Sequence, residues 1–170
     1  MSGLAETFAQ TLGQYLPAEW VCFFISMIPL LELRGGLIAA SILQVKFIKA
    51  VIFCIIGNII PIPFILLFIK KILKWMKGVK FLWFDKIATW LENRATKKSD
   101  ALKKGEFIGL LLFVGIPLPG TGAWMGSLIA SLFNVDIKKA SLAIFLGLIL
   151  ATIIMSVLSY GLLGNAIKFF

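Results

Sequence analysis

The sequence predicts an all-α polytopic membrane protein. It is read as a two-fold inverted repeat, each half a broken, re-entrant helical hairpin followed by a transmembrane helix. Three observations lead there. The first is composition: of 170 residues 60% are hydrophobic and only 15% charged, with a mean hydropathy of +1.00. A soluble domain of this length could not bury so much apolar surface. The second is that the apolar residues fall into runs, some long enough to cross a bilayer and others about half that length. The third is a match between the two halves. The composition excludes a soluble enzyme, a disordered tail and a disulfide-stapled secreted domain.

Residues 1–19 carry Glu6 and Glu19 and no basic residue, which is not the pattern of a signal peptide. Leu4, Phe8, Leu12, Tyr15 and Leu16 recur at helical spacing and predict an interfacial amphipathic helix. Repeat 1 covers residues 20–69. An uncharged run from 20 to 31 is too short to cross, and Ile28-Pro29-Leu30-Leu31-Glu32-Leu33-Arg34-Gly35-Gly36 interrupts it. A second short run, Leu37 to Val45, leads through Lys46 and Lys49 to a clean spanning run from Ala50 to Ile69.

Residues 70–106 hold eleven basic and four acidic residues, +7 of the net charge of +9. Ile72, Trp75, Met76, Val79, Trp83, Ile87, Trp90 and Leu91 recur among the lysines. This is read as a basic amphipathic cytoplasmic segment, one helix or a pair, that meets anionic lipid headgroups. The charge excess therefore implies a membrane surface rather than nucleic acid, for which no binding signature is present.

Repeat 2 covers residues 107–170. Phe107 to Val135 are 29 uncharged positions broken by Ile116-Pro117-Leu118-Pro119-Gly120-Thr121-Gly122. Asp136, Lys138 and Lys139 follow, the lysines read as headgroup anchors, and then an uncharged spanning run from Ala140 to Ile167. The whole chain reads as one membrane domain.

The internal match is in fixed register. Ile28-Pro29-Leu30 pairs with Ile116-Pro117-Leu118 at a spacing of 88. At a spacing of 90, Gly36 pairs with Gly126, Ala40-Ser41 with Ala130-Ser131, Lys49-Ala50 with Lys139-Ala140, and Gly57 with Gly147. Two topologies accommodate this. Re-entrant hairpins give one full crossing per half and opposed, inverted halves. Kinked full crossings give parallel halves. Two prolines and two glycines in the second break cannot continue a helix, and such backbone is tolerated at membrane depth only within protein or beside water. The inverted arrangement is favoured, as in transporters that place broken helices at a midplane site.

Glu32-Leu33-Arg34-Gly35-Gly36, together with Ile116-Pro117-Leu118-Pro119-Gly120-Thr121-Gly122-Ala123-Trp124 and Gly126, resembles the small multidrug export family of prokaryotic membrane proteins. The plan is similar, more distantly, to the DedA and VTT-domain proteins, some of which move lipid phosphates such as undecaprenyl phosphate. The resemblance implies a multi-pass protein of the prokaryotic cytoplasmic membrane. It also implies a transporter or exporter, with a DedA-like lipid flippase as the alternative. DedA-like proteins carry basic residues around their second hairpin, whereas residues 107–135 here carry none.

Glu32 and Arg34 are the only charged residues between Glu19 and Lys46, and charge at membrane depth is costly unless it is paired or hydrated. As a site, Glu32 would exchange a proton or bind a cation, and Arg34 would hold an anionic group. As a brace, the pair would bond the backbone of the opposite hairpin. Pro117, Pro119, Gly120, Thr121 and Gly122 would form that opposite tip, its amides and the helix start near Ala123 facing an anion or simply making a turn. Gly36 with Ala40, and Gly126 with Ala130, have the small-residue spacing of close helix packing. Cys22 and Cys54 are read as small core residues.

The sequence has no histidine, no Cys/His cluster and no Gly-x-Ser-x-Gly motif, so no enzyme, cofactor or metal site is expected. A non-transporting membrane assembly subunit is a further alternative. Four membrane-inserted elements enclose little volume, which suits a site shared in a homodimer.

Overall fold

In the computed structural model the described residues are 7, 10–78, 82–98, 102, 105–118 and 120–161. They form eight α-helices: α1 (Ala18–Met27), α2 (Glu32–Ile42), α3 (Phe47–Ile59), α4 (Pro61–Gly78), α5 (Leu82–Lys97), α6 (Glu106–Gly115), α7 (Ala123–Leu132) and α8 (Ile137–Ser156). A π-helical turn, Val157–Gly161, ends the described part of α8. Of the amphipathic N-terminal stretch, Leu12 and Leu16 pack on Val21 and Ile25 of α1 while Tyr15 faces outward. Leu4 and Phe8 lie outside the described residues.

The halves share an element order. In each, a short apolar helix, a non-helical break and a second short helix lead to a long one. The second short helices end alike. Gln44 and Asn134, 90 positions apart, both take left-handed backbone, with φ of 55° and 59°. Beside them the Val45 amide donates to Ala40 O and the Val135 amide to Ala130 O, at 2.9 and 3.0 Å. This 6→1 bond is the Schellman closure of a helix end. It turns the chain into α3 in one half and α8 in the other.

Phe47–Gly78 and Ile137–Ser159 are long and apolar enough to cross a membrane. The first is divided at Pro61, which lacks the amide that would continue the ladder of α3 but suits the first turn of a new helix. Large side chains such as Ile52, Ile56, Phe64, Phe145 and Ile153 face outward along both stretches, as lipid-facing surfaces do. The spanning run expected to stop at Ile69 continues as helix to Gly78. Leu73 keeps an apolar stripe going between lysines whose stems can lie along the helix while their charges point away.

The core lies where the halves meet. Leu33, Leu37 and Ala40 of α2 join Ala123 and Ala130 of α7, Leu110 and Val114 of α6, and Ile144 and Leu148 of α8 in one cluster. The basic segment is not a free surface helix. Ala88 and Ala95 of α5 pack with Leu73 of α4 against Leu128 and Ile129 of α7. Trp75, Trp83 and Trp90 are exposed on this pair, and Lys77 is ion-paired with Glu92. At the other corner Lys49 pairs with Glu19 at 3.0 Å, which, after a backbone hydrogen bond, helps hold the Glu19 carboxyl below its ordinary pKa.

Candidate functional site

The site is the meeting of two breaks. In the first half the helical ladder lapses over Ile28–Leu31, where Pro29 has no amide to give, and restarts at Glu32. Glu32 itself has φ of 49°, a conformation that costs a non-glycine residue and persists only when its surroundings hold it. In the second half α6 ends at Gly115 and α7 begins at Ala123. Between them Gly120 and Gly122 take φ of 74° and 131°, which glycine alone adopts freely.

Both charged residues of the first break reach across to the second. One carboxylate oxygen of Glu32 accepts the Ala123 amide and the other accepts the Trp124 amide, each at 3.1 Å. These are first-turn amides of α7, which otherwise lack partners and carry the positive end of the helix dipole. Glu32 is thus an N-cap contributed from the opposite half. Arg34 donates to Leu118 O at 2.6 Å, to Ile116 O at 3.3 Å and to Thr121 Oγ1 at 3.0 Å. Both side chains are buried, 5% and 8% exposed. Gly122 is required by contact as well as conformation, since a Cβ there would overlap the Glu32 carboxylate.

Glu32, Arg34, Gly120, Thr121 and Gly122 are therefore brought together. Pro117 sits between the two carbonyls that Arg34 grips, and Pro119 lies outside the described residues. The anion that the N-terminus of α7 faces is the protein's own carboxylate. The small residues stand apart from this site. Gly36 lets α2 approach Ser26 of α1 and Cys54 of α3, Gly126 lets α7 approach Val114 of α6, and Ala40 and Ala130 are fully buried. Among the described residues no three His, Cys, Asp or Glu side chains gather as a metal site.

A cavity of about 240 Å³ opens beside the crossed tips. Pro29, Leu30 and Leu31 line it from the first break, Ile65 and Ile69 from α4, and Trp124, Met125 and Leu128 from α7. Glu32, Arg34, Gly120 and Thr121 form its polar end. The remaining wall is Trp90, Leu91 and Arg94 of α5. Arg94 stacks on the Trp90 ring, 5.1 Å from its centroid, and Lys98 donates to Gly120 O at 2.5 Å. Desolvation, then the charges of Arg94 and Arg34, pull the Lys98 amine below its ordinary pKa.

The second break thus has basic neighbours after all, Arg34 of α2, Arg94 of α5 and Lys98 just beyond α5. Sequence reasoning missed Arg94 and Lys98, which there belong to a lysine-rich solvated face. The only local signal is the Trp90-x-x-x-Arg94 spacing, which stacks a guanidinium on an indole one helical turn away.

No curated protein and no solved structure matches the chain. Residues 32–154, 123 of the 170, match the family model described as "Putative small multi-drug export protein". That span contains Glu32, Arg34, the second break, the long stretch Phe47–Gly78, the α5 wall and most of α8, and the chain belongs to this family.

Proposed function

We propose that the protein is a small proton-coupled exporter. Its substrate passes through the cavity between two opposed re-entrant hairpins, α1–α2 and α6–α7, related as an inverted repeat. The observation that carries this reading is the cavity itself, an apolar chamber whose polar end is built from the charged break of one half and the backbone break of the other. The arms support re-entry. Helices of 10 or 11 residues are about 15 Å long, half of a hydrocarbon core of about 30 Å.

Glu32 supplies the coupling. As a carboxylate it accepts two amides of α7. Once protonated, one oxygen becomes a donor, one of the two amides loses its acceptor, and the cap loses its charge and weakens. Proton uptake then loosens one tip from the other and opens the chamber to one side. Proton release closes it. Arg34 keeps the second tip in shape through both states by its grip on Ile116, Leu118 and Thr121.

Proteoliposomes loaded with a pH-sensitive dye test this. A panel of lipophilic cations and anionic amphiphiles should include a solute whose addition moves protons, and Glu32→Gln should abolish that signal. If no solute moves protons, or Glu32→Gln moves them as well as the unaltered chain, export by this route is refuted. Single cysteines at positions 46 and 138 test the topology. Opposed hairpins require them to be labelled from opposite membrane faces, whereas labelling from the same face requires full crossings.

A further inference from the structure

The halves repeat their contacts as well as their sequence. A Cβ on Gly57 would strike the Phe23 carbonyl, and one on Gly147 the Leu111 carbonyl, at the same spacings of 90 and 88. A Cβ on Gly36 would strike Ser26 and one on Gly126 would strike Val114, again 90 and 88 apart. Each half then grips the other. Ser131 Oγ of α7 donates to Leu66 O of α4 at 3.3 Å, and Ser41 Oγ of α2 donates to Ser159 O just beyond α8 at 3.1 Å. The donors are 90 positions apart, but the acceptors are 93 apart. Gly57 and Gly147 pack alike, yet the contact beyond Gly147 lies three residues further along its helix than the contact beyond Gly57. Three residues are nearly one helical turn, about 4.5 Å.

The helix that carries the extra turn is the irregular one. The Val157 amide reaches both Ile153 O and Ile154 O, and Val157–Gly161 follows as π-helix, a rare form that concentrates at functional sites. Around Leu66, by contrast, α4 is regular α-helix. Strict repetition would set Ser41 against Ser156 instead of Ser159. The Oγ atoms of both Ser156 and Ser159 are shielded and lack a hydrogen-bond partner, which is costly in a static interface.

We propose that the two contacts exchange registers during the transport cycle. α2 steps one turn back along the end of α8, from Ser159 to Ser156, while α7 steps one turn on along α4, from Leu66 to Ile69. Each half then takes the arrangement the other has now. Packed helices do move past one another by such one-turn steps. The exchange carries the Ser41 hydroxyl to Ser156, and it moves the chamber. Ile65 and Leu128 line the chamber in the present register. Their counterparts at the spacing of 90, Met155 and Ile38, are buried and half-buried. They line it in the other, and it opens there to the opposite side. This rests on the exporter reading and names the motion that proton uptake by Glu32 sets free.

Disulfide trapping in the full chain, with Cys22→Ala and Cys54→Ala as background, tests the exchange. A disulfide bridges Cα atoms only up to about 7 Å apart, so a step of about 4.5 Å separates the registers. With Glu32 intact, copper phenanthroline should close Ser41→Cys with Ser159→Cys, and Ser131→Cys with Leu66→Cys. Glu32→Gln mimics the protonated acid. In it, Ser41→Cys with Ser156→Cys and Ser131→Cys with Ile69→Cys should both rise several-fold. A water-soluble maleimide gives a reading that needs no pair geometry. Glu32→Gln should speed labelling of Met155→Cys and slow that of Ile65→Cys, each several-fold. Melting temperatures identify any variant that fails to fold, and the singly substituted chains keep the test intact if a pair is one.

Exchanged pairs that stay at background in Glu32→Gln overturn the proposal. So does one contact shifting without the other, or labelling at positions 155 and 65 that does not move in opposite directions. Proton flux that persists once the Ser41→Cys and Ser159→Cys disulfide is closed refutes the exchange and leaves export standing. Exchange without any flux does the reverse.

Discussion

The two breaks stand at matching points of the two halves and do opposite things. The first, around Glu32 and Arg34, acts through side chains that reach outward. The second, Ile116 to Gly122, acts through its backbone, offering carbonyls to Arg34 and the start of α7 to Glu32. Two charged tips would bury four charges with no backbone groups to receive them, and two backbone tips would leave both unfilled. The difference between the halves removes both problems. One half specialises as ligand and the other as receptor.

The backbone half should be the less forgiving. Gly122→Ala puts a methyl group into the Glu32 carboxylate at a φ only glycine takes easily, and it should lower stability by roughly 3 kcal/mol or more, read as a fall in the unfolding midpoint in detergent. Gly36→Ala meets the Ser26 hydroxyl, the Cys54 thiol and the Cys22 carbonyl, but at an ordinary backbone angle and with no buried carboxylate in its way, and should cost less. An equal loss at both positions would break the comparison.

Arg34→Met comes next. It removes three hydrogen bonds from a charged donor, while the Thr121 hydroxyl and backbone amides still serve the two carbonyls, a loss of about 2–3 kcal/mol in the same melt. Thr121→Val sharpens the picture on the receiving side. Only the hydroxyl is removed, Arg34 keeps its two carbonyls, and the cost should be about 1 kcal/mol. Lys49→Gln lies at an exposed corner away from either break and should change stability by less than about 0.5 kcal/mol. A larger effect there would mean that the interfacial pair with Glu19, not the crossed tips, holds the halves in place.

The elements were largely legible because apolar runs, lysine corners and proline breaks are local signals. The helix start near Ala123 needed nothing beyond spacing. The element expected from Leu37 to Val45 is instead a helix from Glu32 to Ile42. It begins inside the stretch read as an interruption because Glu32, Arg34 and the two glycines are buried helix residues. The register of 90 was equally plain, and the paired Gln44 and Asn134 closures follow it. What the sequence hid was contact between distant segments. Glu32 reads as a lone buried acid until Ala123 and Trp124 arrive beside it. Arg94 sits among lysines and looks solvated, and only the packing of Ala88 and Ala95 against Leu128 turns its face toward the chamber. The continuation of α4 past Lys70 was obscured because charge marks a membrane boundary without marking a helix end.

The Glu32 cap also bears on biosynthesis. The acceptor is made first, and the amides it serves emerge 91 residues later. Until then the first half carries an unanswered acid into the bilayer. α7, when it appears, is born with its leading turn already provided for. The N-terminal half is thus a template on which the C-terminal half completes itself. Two separately expressed halves should each be degraded alone yet assemble when made together.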